Sequence, residues 1–191
     1  MLGRIKRTTL TQNKLPILGK IKIGIKNEQK GYPMSLDYFV AEGKYAQYFN
    51  NVFGEKPQSI EIVFISDNPY EVCNERYECR DKDGRLAGYG DGENFYLFNQ
   101  VTNEYEIQPD KETLKKSGKW EATLTLTFII PKISTVFGQW QLTTKGKDSS
   151  IPAIRDTFDS VLSIAGTVKN IPFDFIFQKS RVEIDQPVTR K

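Results

Sequence analysis

The sequence predicts an α+β fold, and three observations carry that expectation. Segments 59–65 (SIEIVFI) and 120–130 (WEATLTLTFII) are rich in β-branched and aromatic residues, and the second alternates Ala122, Leu124, Leu126 and Phe128 with threonines, the period of a strand. Segments 43–53 and 149–166 instead space their apolar residues by three and four, the period of a helix. Between these halves, 66–117 is rich in acids and turn residues and reads as an inserted set of short hairpins.

The elements follow in order. Residues 1–18 are basic and polar, with neither periodicity, and read as a flexible or docking arm. From Gly19, GKIKIGIK sets Ile21, Ile23 and Ile25 against Lys20, Lys22 and Lys26, broken once by Gly24: a strand with one apolar and one cationic face. A turn at 31–33 and the half-buried stretch MSLDYFV lead to the first helix. There Tyr45, Tyr48, Phe49, Val52 and Phe53 recur at helical spacing and Gly54 supplies the stop. After the strand at 59–65, the turn residues Asp67-Asn68-Pro69, Asp83-Gly84 and 88–92 divide the insertion. Pro131 ends the strand at 120–130, and a short strand at 138–143 precedes the second helix. That helix is expected to be capped by Ser149 or Ser150, with Pro152 in its first turn, a buried stripe of Ile151, Ile154, Phe158, Val161, Leu162 and Ala165, and Gly166 at its close. IPFDFIFQ at 171–178 is the last strand.

This order approximates split βαβ elements of the ferredoxin-like kind, an antiparallel sheet with two helices on one side. The expected division is an arm at 1–18, a single α+β domain at 19–185 with its acidic insertion at 66–117, and a tail at 186–191. At 191 residues such a chain buries a sufficient core without disulfide or metal.

Composition narrows the chemistry. There is no histidine, which removes the commonest general base near neutral pH and the Ser-His and Cys-His nucleophile pairs. Cys73 and Cys79 lack the partners of a zinc set, so free thiols are expected, and neither a catalytic residue, a metal site nor a cofactor. No window reaches the roughly 18 apolar residues of a membrane helix, and the start has no apolar run of signal-peptide type, so the expected location is the cytoplasm. The net charge of +3 divides unevenly: 1–30 carries +7, 31–113 carries −9 and 114–191 carries +5. Such a chain can meet a polyanion with its basic parts and a basic protein with its acidic part, or its charged ends are plain solvated faces; no small-molecule substrate is expected.

Two connections stand out. Tyr89-Gly90-Asp91-Gly92-Glu93 offers a backbone nest or a carboxylate pair, but only one of the spaced ligands of a calcium loop is present, which favours a plain turn. In Phe137-Gly138-Gln139-Trp140-Gln141-Leu142-Thr143-Thr144-Lys145-Gly146, the glycines and the amphipathic Trp140 imply close approach of backbone or partner, or a tryptophan that caps the core. Tyr89, Asp91, Glu93, Phe137, Trp140 and Lys145 are the candidate partner-binding residues. Direct reading of nucleic acid is disfavoured, since the first strand places lysines rather than aromatics opposite its isoleucines.

The segments LPILGKIKIGIK, KGYPMSLDYFV, YFNNVFGEKPQSIEIVF, YGDGE and FGQWQLTTKGKDSSIPAI, with the helix and IPFDFIF strand that follow, resemble the recombination directionality factors of large serine integrases, over about 15–181. The resemblance implies a non-enzymatic protein of a phage or other mobile element, acting in the bacterial host cytoplasm. It would bind a serine integrase on attachment-site DNA, with little direct sequence-specific DNA contact, and turn it toward excision. The chain is shorter than the actinophage members, its insertion is more acidic and its cysteines do not resemble a metal box, so no metal or hydrolase role carries over. The alternative is a ferredoxin-like nucleic-acid-binding module related to the RAMP proteins of CRISPR systems.

Overall fold

The computed structural model describes residues 15–26, 33–110, 112, 114 and 119–177. The expected tail, most of the arm and all but Pro33 of the 31–33 turn lie outside the described residues. In chain order the described elements are β1 (Ile17–Lys26), β2 (Pro33–Glu42), α1 (Ala46–Phe53), β3 (Ser59–Val63), α2 (Pro69–Val72), β4 (Cys73–Arg80), β5 (Leu86–Gly90), β6 (Phe95–Asn99), β7 (Glu104–Gln108), β8 (Trp120–Phe128), β9 (Gln139–Thr144), α3 (Ser150–Ala165) and β10 (Pro172–Ile176). The fold is α+β. Eight strands form one sheet in the order β2-β1-β9-β8-β4-β5-β6-β7, antiparallel except for the β1–β9 pair, and β3 pairs with β10 in a second, two-stranded sheet.

The hairpins of 66–117 extend the main sheet: β4 lies antiparallel to β8, and β5, β6 and β7 add outward in turn. Each long connection leaves the large sheet for the small one. α1 follows β2 and leads to β3, while α3 follows β9 and leads to β10.

Side-chain parity explains why the sheet has two unlike faces. Along β8, Leu124, Leu126 and Phe128 stand opposite Thr144, Leu142 and Trp140 of β9, and Ile21 of β1 is beside Leu142. These residues join one core with Phe49 of α1, Val72 of α2, Ile151 and Phe158 of α3, and Ile60 and Ile62 of β3. α1, α2 and α3 therefore bury against that face, where Phe158 meets Phe64 edge-on at 5.4 Å and Phe49 lies 6.1 Å from Trp140. The intervening residues Thr123, Thr125, Thr127, Gln141 and Thr143 point the other way. α1, α2 and α3 lie on the opposite side, and no described helix is long and apolar enough to cross a membrane.

Several local expectations change for physical reasons. Ser149 occupies the N-cap of α3 but its side chain caps nothing, and Ser150 instead meets the Thr144 hydroxyl at 2.6 Å, fastening the helix start to the end of β9. At the other end, Gly166 adopts the left-handed conformation expected (φ 73°) and returns its N–H to Leu162 O. Asp67, a plain turn residue in the sequence, accepts hydrogen bonds from Thr167 Oγ1 and the Val168 and Lys169 N–H groups at 2.7–2.9 Å. Those bonds, the Thr167 hydroxyl first, hold its carboxyl below the usual range and tie the exit of α3 to the loop before α2.

Gly88 and Gly90 sit inside β5 rather than in a turn. A Cβ on Gly88 would lie 2.7 Å from Leu97 and 2.8 Å from Trp120, so the strand needs glycine to let those side chains cross its backbone. Gly19 has the same role in β1, where a Cβ would meet Glu42 O at 2.6 Å and the Trp140 ring at 2.8 Å. Cys73 and Cys79 are both free and buried in β4. Six residues of extended strand separate them by about 20 Å, far beyond disulfide reach. Burial, then the nearby Asp159 and Glu75, pushes the Cys73 thiol up to about 12.

Candidate functional site

The face turned away from α1, α2 and α3 carries a group of rings and a row of paired charges. On β5, β6 and β7 it carries a ladder of rings. Tyr89 stacks on Tyr96 (5.1 Å, 20°), Tyr105 meets Tyr89 edge-on at 5.0 Å, and Phe98 meets Tyr105 at 5.2 Å. The Tyr105 hydroxyl donates to Leu86 O at 3.1 Å. Strand register dictates this grouping, because Tyr89 is opposite Tyr96, Tyr96 opposite Ile107, and Phe98 opposite Tyr105.

Beside the ladder, β4 supplies a charged row. Glu78 is only 5% exposed, and it accepts from Arg76 Nε and Nη2 at 3.0 and 2.8 Å and from Arg80 Nη2 at 2.6 Å. The Arg76 guanidinium also lies over the Tyr89 ring at 5.4 Å. Burial pushes the Glu78 carboxyl up, but hydrogen bonds from Arg76 and Arg80 outweigh it and leave the group below its usual range.

A carboxyl depressed in the folded state adds stability above its unfolded pKa, about 4.3, and loses that contribution as pH falls through the folded value. Glu78→Gln is therefore expected to unfold at lower urea than the parent at pH 7, and the difference should shrink toward pH 3. Parallel urea titrations at the two pH values check this. An equal deficit at both would assign the effect to packing rather than charge.

The six candidate residues divide four ways. Tyr89 stands opposite Glu78, Glu78 opposite Glu121, and Glu121 is ion-paired with Lys145, so Tyr89 and Lys145 share this face across three inter-strand steps, about 14 Å. Asp91 and Glu93 occupy the turn directly after β5. Asp91 Oδ1 accepts the N–H groups of Glu93 and Asn94 at 2.8 and 2.7 Å, and these bonds, that of Asn94 first, hold its carboxyl low. Its oxygen thus builds the turn. Phe137 is 73% exposed but precedes β9, at the opposite end of that strand from Lys145. Trp140 shares the parity of Leu142 and is 1% exposed, which puts it in the core beneath α1 and away from this face.

Sequence reasoning missed Arg76, Glu78, Arg80, Tyr96, Phe98, Tyr105 and Ile107. The available signal was the aromatic run FYLFN and the period-two alternation in EYEIQ; what it lacked was the register that stacks those short strands side by side.

A separate cavity of about 890 Å³ lies between α3, β10 and the core face of the large sheet, walled by Phe39, Phe64, Phe158, Phe173 and Phe175. Asp174 is its one ionisable wall residue among the described residues, so it offers no acid–base pair. Cys, Asp and Glu likewise form no cluster of three suited to a metal among the described residues.

The architecture is that of an α+β protein with a helix-backed sheet whose other face presents rings and paired charges. The chain belongs to the Gp3-like family, described as recombination directionality factor-like, whose model matches residues 18–190. The family is generally regulatory rather than catalytic, and it implies a recombinase as protein partner. No curated protein and no solved structure matches the chain.

Proposed function

We propose that this chain is a non-enzymatic recombination directionality factor that binds the serine integrase of a phage or other mobile element, on attachment-site DNA in the bacterial cytoplasm, and switches it toward excision. The observation that carries this reading is the family match across 18–190, nearly the whole chain. The ring-bearing face supports it, since clustered Tyr and Arg side chains dominate protein interfaces. In this account Tyr89, Asp91, Glu93 and Lys145 contribute to the partner surface, with Phe137 as a second point of contact and Trp140 supporting the β1–β9 edge from beneath. The chain acts as one α+β domain over 19–185, with its basic arm assisting docking. Control requires only that the factor favour one arrangement of the integrase on DNA over another, because a ligand with equal affinity for both shifts nothing.

The second reading, a ferredoxin-like nucleic-acid-binding module, draws on Lys20, Lys22, Arg76, Arg80 and Lys145, which share the ring-bearing face by parity. It has less support. The rings of the ladder already pair with one another, and the strands flanking α1 and α3 belong to different sheets.

Gel shifts on attachment-site DNA separate the two. The isolated protein is expected to leave free DNA unshifted at physiological salt and to supershift an integrase–DNA complex. A tight, sequence-dependent shift by the protein alone, weakening steeply with salt, would favour the second reading.

A further inference from the structure

The ring-bearing face ends at a free strand edge. β7 is the terminal strand of the eight-stranded sheet, and among the described residues its one strand partner is β6. Glu104, Tyr105, Glu106 and Ile107 are all exposed, Ile107 at 58%. The other end of the sheet is less open, because the Phe39 N–H of β2 donates to Pro57 O. β10 begins with Pro172, which has no amide N–H to offer.

An open edge is ordinarily blunted by shortness, by charged side chains, lysine above all, by proline or by a bulge. β7 is five residues long and carries two glutamates but no lysine or proline within EYEIQ, and its register with β6 is unbroken, so its guard is selective by charge. Its side chains alternate instead. Tyr105 and Ile107 extend the ladder formed with Phe98 and Tyr96, while Glu104 and Glu106 project on the opposite face. The surrounding segment 66–113 holds twelve acids against five Lys/Arg.

This pattern selects among occupants. A second β7 laid along the edge would bring Glu104 and Glu106 against their own kind, and like charges across strands are destabilising. Nucleic acid would meet carboxylates on one side of the strand. A strand with Lys or Arg at alternate positions and apolar residues between them would pair the acids on one face and cover Tyr105, Ile107 and Phe98 on the other, while its backbone pairs with the outer edge of β7, which no described strand takes up.

We infer that the β7 edge is the docking strand of this protein, and that it takes an extended segment of the integrase with alternating basic and apolar residues. This rests on the integrase-binding reading above and adds the mode of attachment. Specificity then comes from Glu104 and Glu106, and adhesion from the main chain together with the Tyr105–Ile107 face.

The test uses the full chain and the purified integrase of the same element. Affinity is measured for the parent, for Glu104→Lys/Glu106→Lys, for Ile107→Lys, and for Ile164→Lys, an exposed position on α3. Hydrogen exchange of the unmodified pair is followed in parallel and needs no variant to fold. The two β7 variants are expected to bind about tenfold more weakly or worse, with Ile164→Lys near the parent. Amides within 104–108 are expected to become protected in the complex. If the parent binds but 104–108 gains no protection and the β7 variants keep full affinity, the edge is not the docking strand and the integrase-binding reading stands. If the parent does not bind integrase at all, that reading fails and the inference fails with it.

Discussion

Phe128→Ala and Phe158→Ala are each expected to lose about 3 to 5 kcal/mol of folding stability. Phe128 ends β8 opposite Trp140 and is fully buried, while Phe158 lies on the inner side of α3 with its ring edge-on to Phe64. Both belong to the one core that joins the large sheet, the small sheet and the helices. Truncation of either removes aromatic packing and leaves a void that flanking strands, fixed in register, cannot close. Thermal and urea denaturation measure the loss. If both variants melted within a degree or two of the parent, the helices would not be packed on this face of the sheet.

Trp140→Ala is expected to cost a similar amount, and here the structure separates two explanations that the sequence left open. An exposed tryptophan in a Gly-rich connection would be an interface anchor, and its loss would weaken binding while sparing the fold. Trp140 is instead among the largest fully buried side chains, 6.1 Å from Phe49 and in contact with the site where Gly19 lacks a Cβ. The same ring therefore holds α1 onto β9 and β9 onto β1. Trp140→Ala should lower the denaturation midpoint by about 3 to 5 kcal/mol equivalent, and any lost excision should follow the unfolded fraction. Circular dichroism and recombination measured on the same sample check this. A fully folded variant without excision would return Trp140 to the interface.

Strong periodicity made much of the fold legible in the sequence. The alternation of Leu124, Leu126 and Phe128 and the helical spacing of Ile151 and Phe158 each encode a buried stripe, so β8 and α3 appear close to their expected bounds. Gly54 and Gly166 mark helix ends because both positions need positive φ. What stayed hidden is what depends on register between distant segments. Nothing local reveals that β1 pairs in parallel with β9, or that β3 leaves the large sheet to join β10. Gly88 and Gly90 read as turn residues because glycine signals a turn more often than a strand crossed by its neighbours' side chains.

The candidate site was legible only in part for the same reason. Tyr89, Asp91 and Glu93 drew notice as a local motif, and Tyr89 does sit at the centre of the ring ladder. Its neighbours Tyr96 and Tyr105 come from strands 7 and 16 residues further along, and Arg76 from one 13 residues before. Only the meander β4–β7 brings them together. Trp140 drew notice for its type and context, which do not distinguish a buried ring from an exposed one.

The central claim is that this protein changes the direction of a recombinase rather than performing chemistry. It is tested most directly by incubating purified serine integrase of the same mobile element with a DNA carrying the two product attachment sites, with and without equimolar protein, and counting excised circles. Excision is expected only when the protein is present, with integration of the original sites suppressed in the matching reaction. Equal excision with and without the protein, under conditions where the integrase is active on the original sites, would contradict the account.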